Sequence, residues 1–493
     1  MPTILALDQG TTSSTALVIG PDGGILGRAT REIPQYYPAP GEVEHDPELL
    51  FRATVAAGRE ALRAAGRRVD AIGITNQRET VVAWDHATLT PVGRALVWQD
   101  RRTTARCAAM RAAGEEAAIR ARTGLLLDPY FSATKLEWLL RDPAFRARAA
   151  AGTIRVGTVE SWLVVRLTGG VHVSDPTNSS RTMLAALATG EWDQSLLDTF
   201  GVPAGILPTI VPSAGVVGLA RAEWFGREIP IAGIAGDQQA ALFGQGCVTP
   251  GSAKVSYGTG AFLLRFASSD GPVTPEAGIL GTIAIGAEGQ LSWALEGSLF
   301  VAGAAVQWLR DGLGLIAYAA ETAALAASTA DTGGVVVVPA FTGLGAPFWN
   351  ADARGTITGI TRGTTRAQLV RATLEAIAHG TADLVAAMGG VSALRVDGGA
   401  AANDWLMQAQ ADLLGVPVVR PAVVELTAYG AARLAAIGIG HVLPTATELG
   451  GATIFEPKAS AAWREERRGE WGRAVRAAVA WADDRVGRGS EGR

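Results

Sequence analysis

A chain of 493 residues is too long for one small module and suits two or three domains; with 48% hydrophobic and 18% charged residues it can build large cores, which excludes disorder for its bulk. Forty-three basic against 47 acidic side chains give a net charge of −4, and no long basic run is present to follow a phosphate backbone, so nucleic acid is excluded as an expected partner. Cys107 and Cys247 are too few for a disulfide framework and lack zinc spacing, which points to a reducing compartment. There is no signal-peptide pattern, and no uncharged apolar stretch reaches the roughly 18–20 residues of a membrane span. The expectation is a soluble, cytoplasmic protein.

Short β-like runs alternate with alanine-rich helical runs, the pattern of α/β layers. Residues 4–7, 15–19 and 25–29, separated by Gly/Thr and Pro-Asp-Gly-Gly turns, predict an opening β-meander. Asp46-Pro47-Glu48 supplies a helix N-cap with Pro at the first position, and residues 69–75 predict the next strand. Residues 229–239 read as strand, turn and helix start, which places Asp237 at an expected N-cap. Residues 252–257, a Gly258-Thr259-Gly260 turn and residues 261–266 repeat the strand, Gly-Thr turn, strand order of the N-terminus; residue identity between the copies is weak, so duplication stays open. Gly244–Gly251 is the expected boundary between domains 1–246 and 247–493. The tail from Trp463 reads as an amphipathic helix.

Chemistry concentrates at strand ends. Asp8-Gln9-Gly10-Thr11-Thr12-Ser13 offers backbone N–H groups and hydroxyls for phosphate and a carboxylate for Mg²⁺, or simply an Asp-capped turn. Gly258-Thr259-Gly260 is a second such turn, and two of them could grip one triphosphate. Gly398-Gly399, leading to Asn403, leaves bare backbone for a flat ligand or for helix–strand packing. Asp237 is placed to accept a hydroxyl proton or only to cap a helix. The polar runs Thr75–Thr80 and Trp98–Arg102 follow strands, where α/β proteins bind ligands, and are equally consistent with solvated loops.

Taken in order, the segments DQGTTSS (8–14), ITNQRET (74–80), DPYFS (128–132), GIAGDQQAALFGQ (233–245), YGTG (257–260), FTGLGAPFW (341–349) and VDGGAAAN (396–403) resemble the FGGY carbohydrate kinases, in the form typical of the branch that phosphorylates glycerol. The stretch from Tyr130 to Leu139 resembles the family's first signature, departing at Asp142. Gly355–Ile360, Gln368-Leu369 and Ala372–Glu375 fit the second.

The resemblance implies α/β architecture with two actin-like (ribonuclease H-like) domains and an interdomain catalytic cleft. It implies transfer of the ATP γ-phosphoryl group to glycerol with Mg²⁺, in a homo-oligomer, dimer or tetramer. Arg78, Glu79, Tyr130, Asp237 and Gln238 would bind the glycerol hydroxyls, with Asp237 as base, and Trp98 and Phe262 would cover its carbons. Thr11, Thr12, Ser13, Gly258 and Thr259 would contact phosphates; Gly303, Gln307, Gly399 and Asn403 would line the nucleotide site, and Asp8 would position Mg²⁺. A pentulose or gluconate kinase, an actin-like ATPase without a small acceptor and a binding-only relative are the alternatives. Thr15 stands where the family usually carries a basic residue. Glu228 and Glu223 occupy positions where some relatives bind fructose 1,6-bisphosphate or carry a phosphorylated histidine, so neither control is expected. That expectation includes Arg227 and Glu228 pointing to opposite faces of a strand.

Overall fold

A computed structural model describes residues 2–275 and 278–489, with side chains to residue 482. Two sheets organise the chain. The first has the spatial order Ala214–Ala220, Ile229–Gly236, Ala71–Asn76, Ile4–Gln9, Ser13–Ile19, Ile25–Glu32; the three central-to-left strands Ile229–Gly236, Ala71–Asn76 and Ile4–Gln9 run parallel, and the rest pair antiparallel. The second has the order Leu280–Ile285, Leu291–Leu299, Ala261–Ser268, Ala253–Tyr257, Leu394–Gly398, Val418–Arg420, Thr453–Phe455. There too an antiparallel hairpin is joined by its first strand to two parallel neighbours, and the last of these pairs antiparallel with an edge strand. The second unit therefore repeats the strand order and directions of the first with one added edge strand, which weak residue identity between the copies had left open.

Alternation of side chains along a strand gives each sheet two apolar faces. Leu5, Leu7, Ala16 and Val18 pack with Leu50, Phe51 and Val55 of the helix Pro47–Ala65. That helix begins where the sequence predicts: Asp46 Oδ1 accepts from Glu48 N at 2.9 Å, and Pro47 follows. The opposite face, with Ile4, Ala6, Leu17, Ile19 and Ala232, packs against Leu426, Tyr429, Ala432 and Ala436 of the helix Leu426–Gly438. This helix comes from late in the chain yet covers the first sheet. Each leucine, isoleucine, valine or phenylalanine among these side chains contributes about 1.5–3 kcal/mol on full burial.

The same helix crosses Asp237–Gly244 without space between backbones. A Cβ on Gly430 would lie 1.9 Å from the Ala240 carbonyl oxygen, and one on Gly244 would lie 2.5 Å from that of Leu426. This crossing fixes where Asp237 begins its helix. No helix among the described residues is long and apolar enough to cross a membrane.

The C-terminal helix Ala461–Gly489 docks through a stacked pair, His379 and Trp471, with ring centroids 5.2 Å apart and planes 4° from parallel. Burial, then Arg468 and Arg467, pushes His379 down from 6.5 to about 3. Between those values the unfolded chain holds a proton on this ring that the folded chain refuses. Stability is therefore lost as pH falls below 6.5, at about 1.4 kcal/mol per unit. His379→Phe is expected to lose about 2 kcal/mol less than wild type between pH 7 and pH 5 in urea titrations; equal losses would show that the ring is protonated in the fold.

Candidate active site

The C-terminal ends of three parallel strands bring the polar segments together, the usual location of ligand sites in such sheets. Register pairs Gln9 with Asn76 and Asn76 with Gly236, so Asp8, the loop after Asn76 and Asp237 lie side by side. Gln77 N donates to Gln9 O at 2.8 Å, folding the 77–80 loop over the sheet. Glu79 holds a left-handed φ of +62°, a costly conformation for a residue with a side chain and one that recurs at functional sites. Gly236 is required by contact: a Cβ there would meet Arg78 Cγ and Cδ at 2.8 Å.

Arg78 is the hub. Its Nε lies 3.3 Å from Asp237 Oδ1, its Nη1 and Nη2 donate to Glu296 at 2.6 and 2.9 Å, and it also reaches Gln239 Oε1 and Tyr130 Oη. Arg181 donates from Nε to Glu79 Oε1 at 2.7 Å and from Nη2 to Glu296 Oε1 at 3.0 Å, with its guanidinium over the Tyr130 and Phe131 rings. Arg78, Glu79, Arg181 and Glu296 are all buried. Burial alone would raise Glu296, but Arg181 and Arg78 outweigh it and hold the carboxyl at about 2. Burial and the neighbouring Glu79 push the Tyr130 phenol up, so it remains protonated.

Asp237 is half-buried, with Oδ1 accepting from Gln238 N at 2.7 Å. It is not the N-cap. The extended residue Gly236 holds that place and Asp237 is the first helical residue. Gln238 turns its Oε1 to the ammonium of Lys254, a buried residue of the second sheet whose Nζ also donates to Ser256 Oγ at 2.8 Å. Burial lowers Lys254, opposed by the carboxylates of Asp397 and Asp237.

An aromatic wall closes one side: Trp98 stands edge-on to Tyr130 at 5.5 Å and to Phe262 at 6.2 Å. Trp98 Nε1 donates to Thr11 Oγ1 at 2.9 Å, which links the wall to the first phosphate-type turn, itself closed by Gly10 N to Ser13 O at 2.9 Å. Thr12 is exposed beside it. In the second turn, Gly303 N donates to Gly258 O at 3.0 Å and Ala302 N to Thr259 O at 2.8 Å; a Cβ on Gly303 would sit 2.5 Å from Gly258 O. Gln307 is exposed at the end of the short helix Gly303–Gln307. Gly399 is exposed with open space around it, whereas Gly398, at φ +86°, has no room for a Cβ against Tyr257 O. The Asn403 side chain caps its helix through Leu406 N and donates to Thr322 Oγ1.

Asp8 is pushed up from 3.8 to about 8 by burial and then by the carboxylates of Asp237 and Glu425. That carboxyl, with two carboxylates acting on it and short of positive charge, fits a divalent cation held by one carboxylate, water and substrate phosphates. No group of three or more His, Cys, Asp or Glu able to hold a metal occurs among the described residues. Thr15 lies directly across from Asp8 in the strand register, its Oγ1 3.2 Å from Thr30 Oγ1.

Two buried residues escape a reading by motif. Arg181 is the only basic residue between His172 and Arg221, and Glu296 is the only charge in the strand Leu291–Leu299; an isolated charge in an apolar or hydroxyl-rich run is the signal that could have found both. Asp142, the departure from the first signature, caps the helix Pro143–Ala150 by accepting from Phe145 N at 2.8 Å. Arg227 and Glu228 precede the strand Ile229–Gly236 and do not belong to it, so strand alternation does not separate their side chains as expected.

The FGGY carbohydrate kinase N-terminal domain matches residues 3–244 and the C-terminal domain matches residues 253–439. The chain is 51% identical to glycerol kinase of Alkalilimnicola ehrlichii over 98% of its own length and 100% of the relative's, and 53% identical to glycerol kinase of Aromatoleum aromaticum over 98% and 99%. Among solved structures it superposes on Plasmodium falciparum glycerol kinase with ADP, with a TM-score of 0.89 and 32% identity over 97% of this chain and 98% of that one. A gluconate kinase from Lactobacillus acidophilus shares the fold at a TM-score of 0.88 and 21% identity, over 98% and 99% of the two chains. The two-unit fold and its cleft are those of a sugar-type kinase. The chain belongs to the FGGY family of carbohydrate kinases.

Proposed function

We propose that this kinase transfers the γ-phosphoryl group of ATP to a primary hydroxyl of glycerol, giving sn-glycerol 3-phosphate and ADP. The observation that carries the reading is the convergence of Asp237, Arg78, Glu79 and Tyr130 beside the Trp98–Phe262 wall. A triol offers little surface, so selectivity rests on satisfying every hydroxyl while the rings close off larger sugars. Arg78 donates, Glu79 accepts through the oxygen that Arg181 leaves free, and Tyr130 serves as donor or acceptor. The half-buried Asp237 carboxylate takes the proton of the attacking hydroxyl, whose oxygen then bonds to the γ-phosphorus as the bond to the leaving diphosphate breaks.

The turns around Thr11, Thr12 and Ser13 and around Gly258, Thr259 and Gly303 offer backbone N–H groups and hydroxyls to the phosphates. Gln307, Gly399 and Asn403 are assigned to the nucleoside end, and Gln238, whose Oε1 accepts from Lys254, is assigned to the glycerol hydroxyls through its amide nitrogen. Mg²⁺ held at Asp8 would neutralise charge on the transferred group. A cytoplasmic homo-oligomer completes the reading. ³¹P NMR of the product formed from ATP and glycerol tests it: a phosphomonoester identical to sn-glycerol 3-phosphate is expected, and ATP converted to ADP and inorganic phosphate alone would overturn it.

Thr15 faces Asp8 where a cation would reach the γ-phosphate. Thr15→Arg is therefore expected to raise kcat or lower the KM for ATP several-fold. Unchanged or poorer kinetics would mean that another group already supplies that charge.

A further inference from the structure

Glu296 does not belong to the first sheet, yet it holds Arg78 of the acceptor site directly and Glu79 through Arg181. Its Oε1 accepts from Arg78 Nη2 at 2.9 Å and from Arg181 Nη2 at 3.0 Å, and its Oε2 accepts from Arg78 Nη1 at 2.6 Å. Arg181 passes the constraint on to Glu79 through its Nε at 2.7 Å. Arg78 is thus fixed by Glu296 directly and Glu79 at one remove. A long arginine with several rotamers needs such support if its guanidinium is to face a small ligand in one orientation.

The same strand has a second attachment. Leu291–Leu299 leads within four residues to Ala302 and Gly303, whose N–H groups bond Thr259 O and Gly258 O. Glu296 therefore sits between the acceptor-binding pair and the turn that faces the nucleotide phosphates. The cluster also spans both sheets: Arg78 follows a strand of the first, and Glu296 lies within the second.

We propose that Glu296 and Arg181 are positioning residues that set the geometry of Arg78 and Glu79 and couple it to the Gly258–Gly303 turn, so that acceptor and nucleotide strengthen each other's binding. This rests on the acceptor reading given above. Breaking one partner of a buried ion cluster leaves the others uncompensated, so the effect of replacing Glu296 is large and falls on the acceptor site first. Coupling between two ligands is reciprocal and is measured by titrating each in the presence of the other.

The test uses the full chain, with glycerol and ADP titrated singly and together by calorimetry, alongside steady-state kinetics. Wild type is expected to bind ADP several-fold more tightly with glycerol present. Glu296→Gln is expected to raise the glycerol KM at least tenfold with a smaller change in kcat, to leave ADP affinity without glycerol within twofold, and to abolish the coupling. Arg181→Lys, which keeps the charge, should fall between the two. If Glu296→Gln does not yield folded protein, Glu296→Asp and Arg181→Lys are read on the same measurements, with a raised glycerol KM and reduced coupling expected. Variants with wild-type KM and wild-type coupling, or a wild type without coupling, would overturn the proposal. A wild type that binds no glycerol would instead overturn the acceptor reading on which it rests.

Discussion

Asp237→Asn is expected to lower kcat by about 10²–10⁴-fold, the usual loss when a general base is removed, while nucleotide affinity stays close to wild type. The asparagine keeps the oxygen that accepts from Gln238 N and lies beside Arg78 Nε, and it keeps the side-chain volume at the start of the Asp237–Gly244 helix. What it loses is an oxygen able to hold the proton of the attacking hydroxyl. Arg78 stays anchored by Glu296, so the acceptor site need not collapse with the substitution. Steady-state kcat, with ADP affinity measured by calorimetry, separates the two roles. Turnover close to wild type would make Asp237 a structural residue.

Gly430→Ala is expected to destabilise the fold by about 3 kcal/mol, the upper range for forcing a methyl group into a packed core. The added Cβ would lie 1.9 Å from Ala240 O, and the helix cannot back away. Its far side is already pressed on the first sheet at Gly73, where a Cβ would meet Ala431 O at 2.1 Å, and its end is fixed at Gly438 against Ala232 O. For a domain of 150–250 residues that loss corresponds to a melting temperature lower by roughly 6–12 °C. Gly469→Ala is the control: its Cβ meets nothing within 4 Å, and removing a helical glycine should leave stability equal or slightly higher. A Gly430→Ala protein melting with wild type would mean that the two helices are not in backbone contact.

Much of this architecture is legible in the sequence because the signals are local. Asp46-Pro47 marks a helix start, and the unbroken apolar run of residues 4–7 marks a strand, which the structure covers on both faces. The repetition of topology is visible only in the sheets, since the second Gly-Thr turn retains few residues of the first while the strand directions are kept. The helix Leu426–Gly438 covering the first sheet is not legible at all: nothing in its apolar surface says which of the two sheets will receive it. Within the site, residues in glycine-rich or polar turns announce themselves. Arg181 and Glu296 act by charge in buried surroundings, and only the three-dimensional pairing with Glu79 and Arg78 gives them a role.

The most direct measurement is ADP release by the purified chain with ATP, Mg²⁺ and, in turn, glycerol, dihydroxyacetone, xylulose, ribulose, gluconate or no acceptor. The cleft of Arg78, Glu79, Tyr130 and Asp237 beside Trp98 and Phe262 predicts release that depends on an acceptor, with kcat/KM highest for glycerol and low for the five- and six-carbon sugars. Release at the same rate without acceptor, or a preference for xylulose, ribulose or gluconate over glycerol, would contradict it.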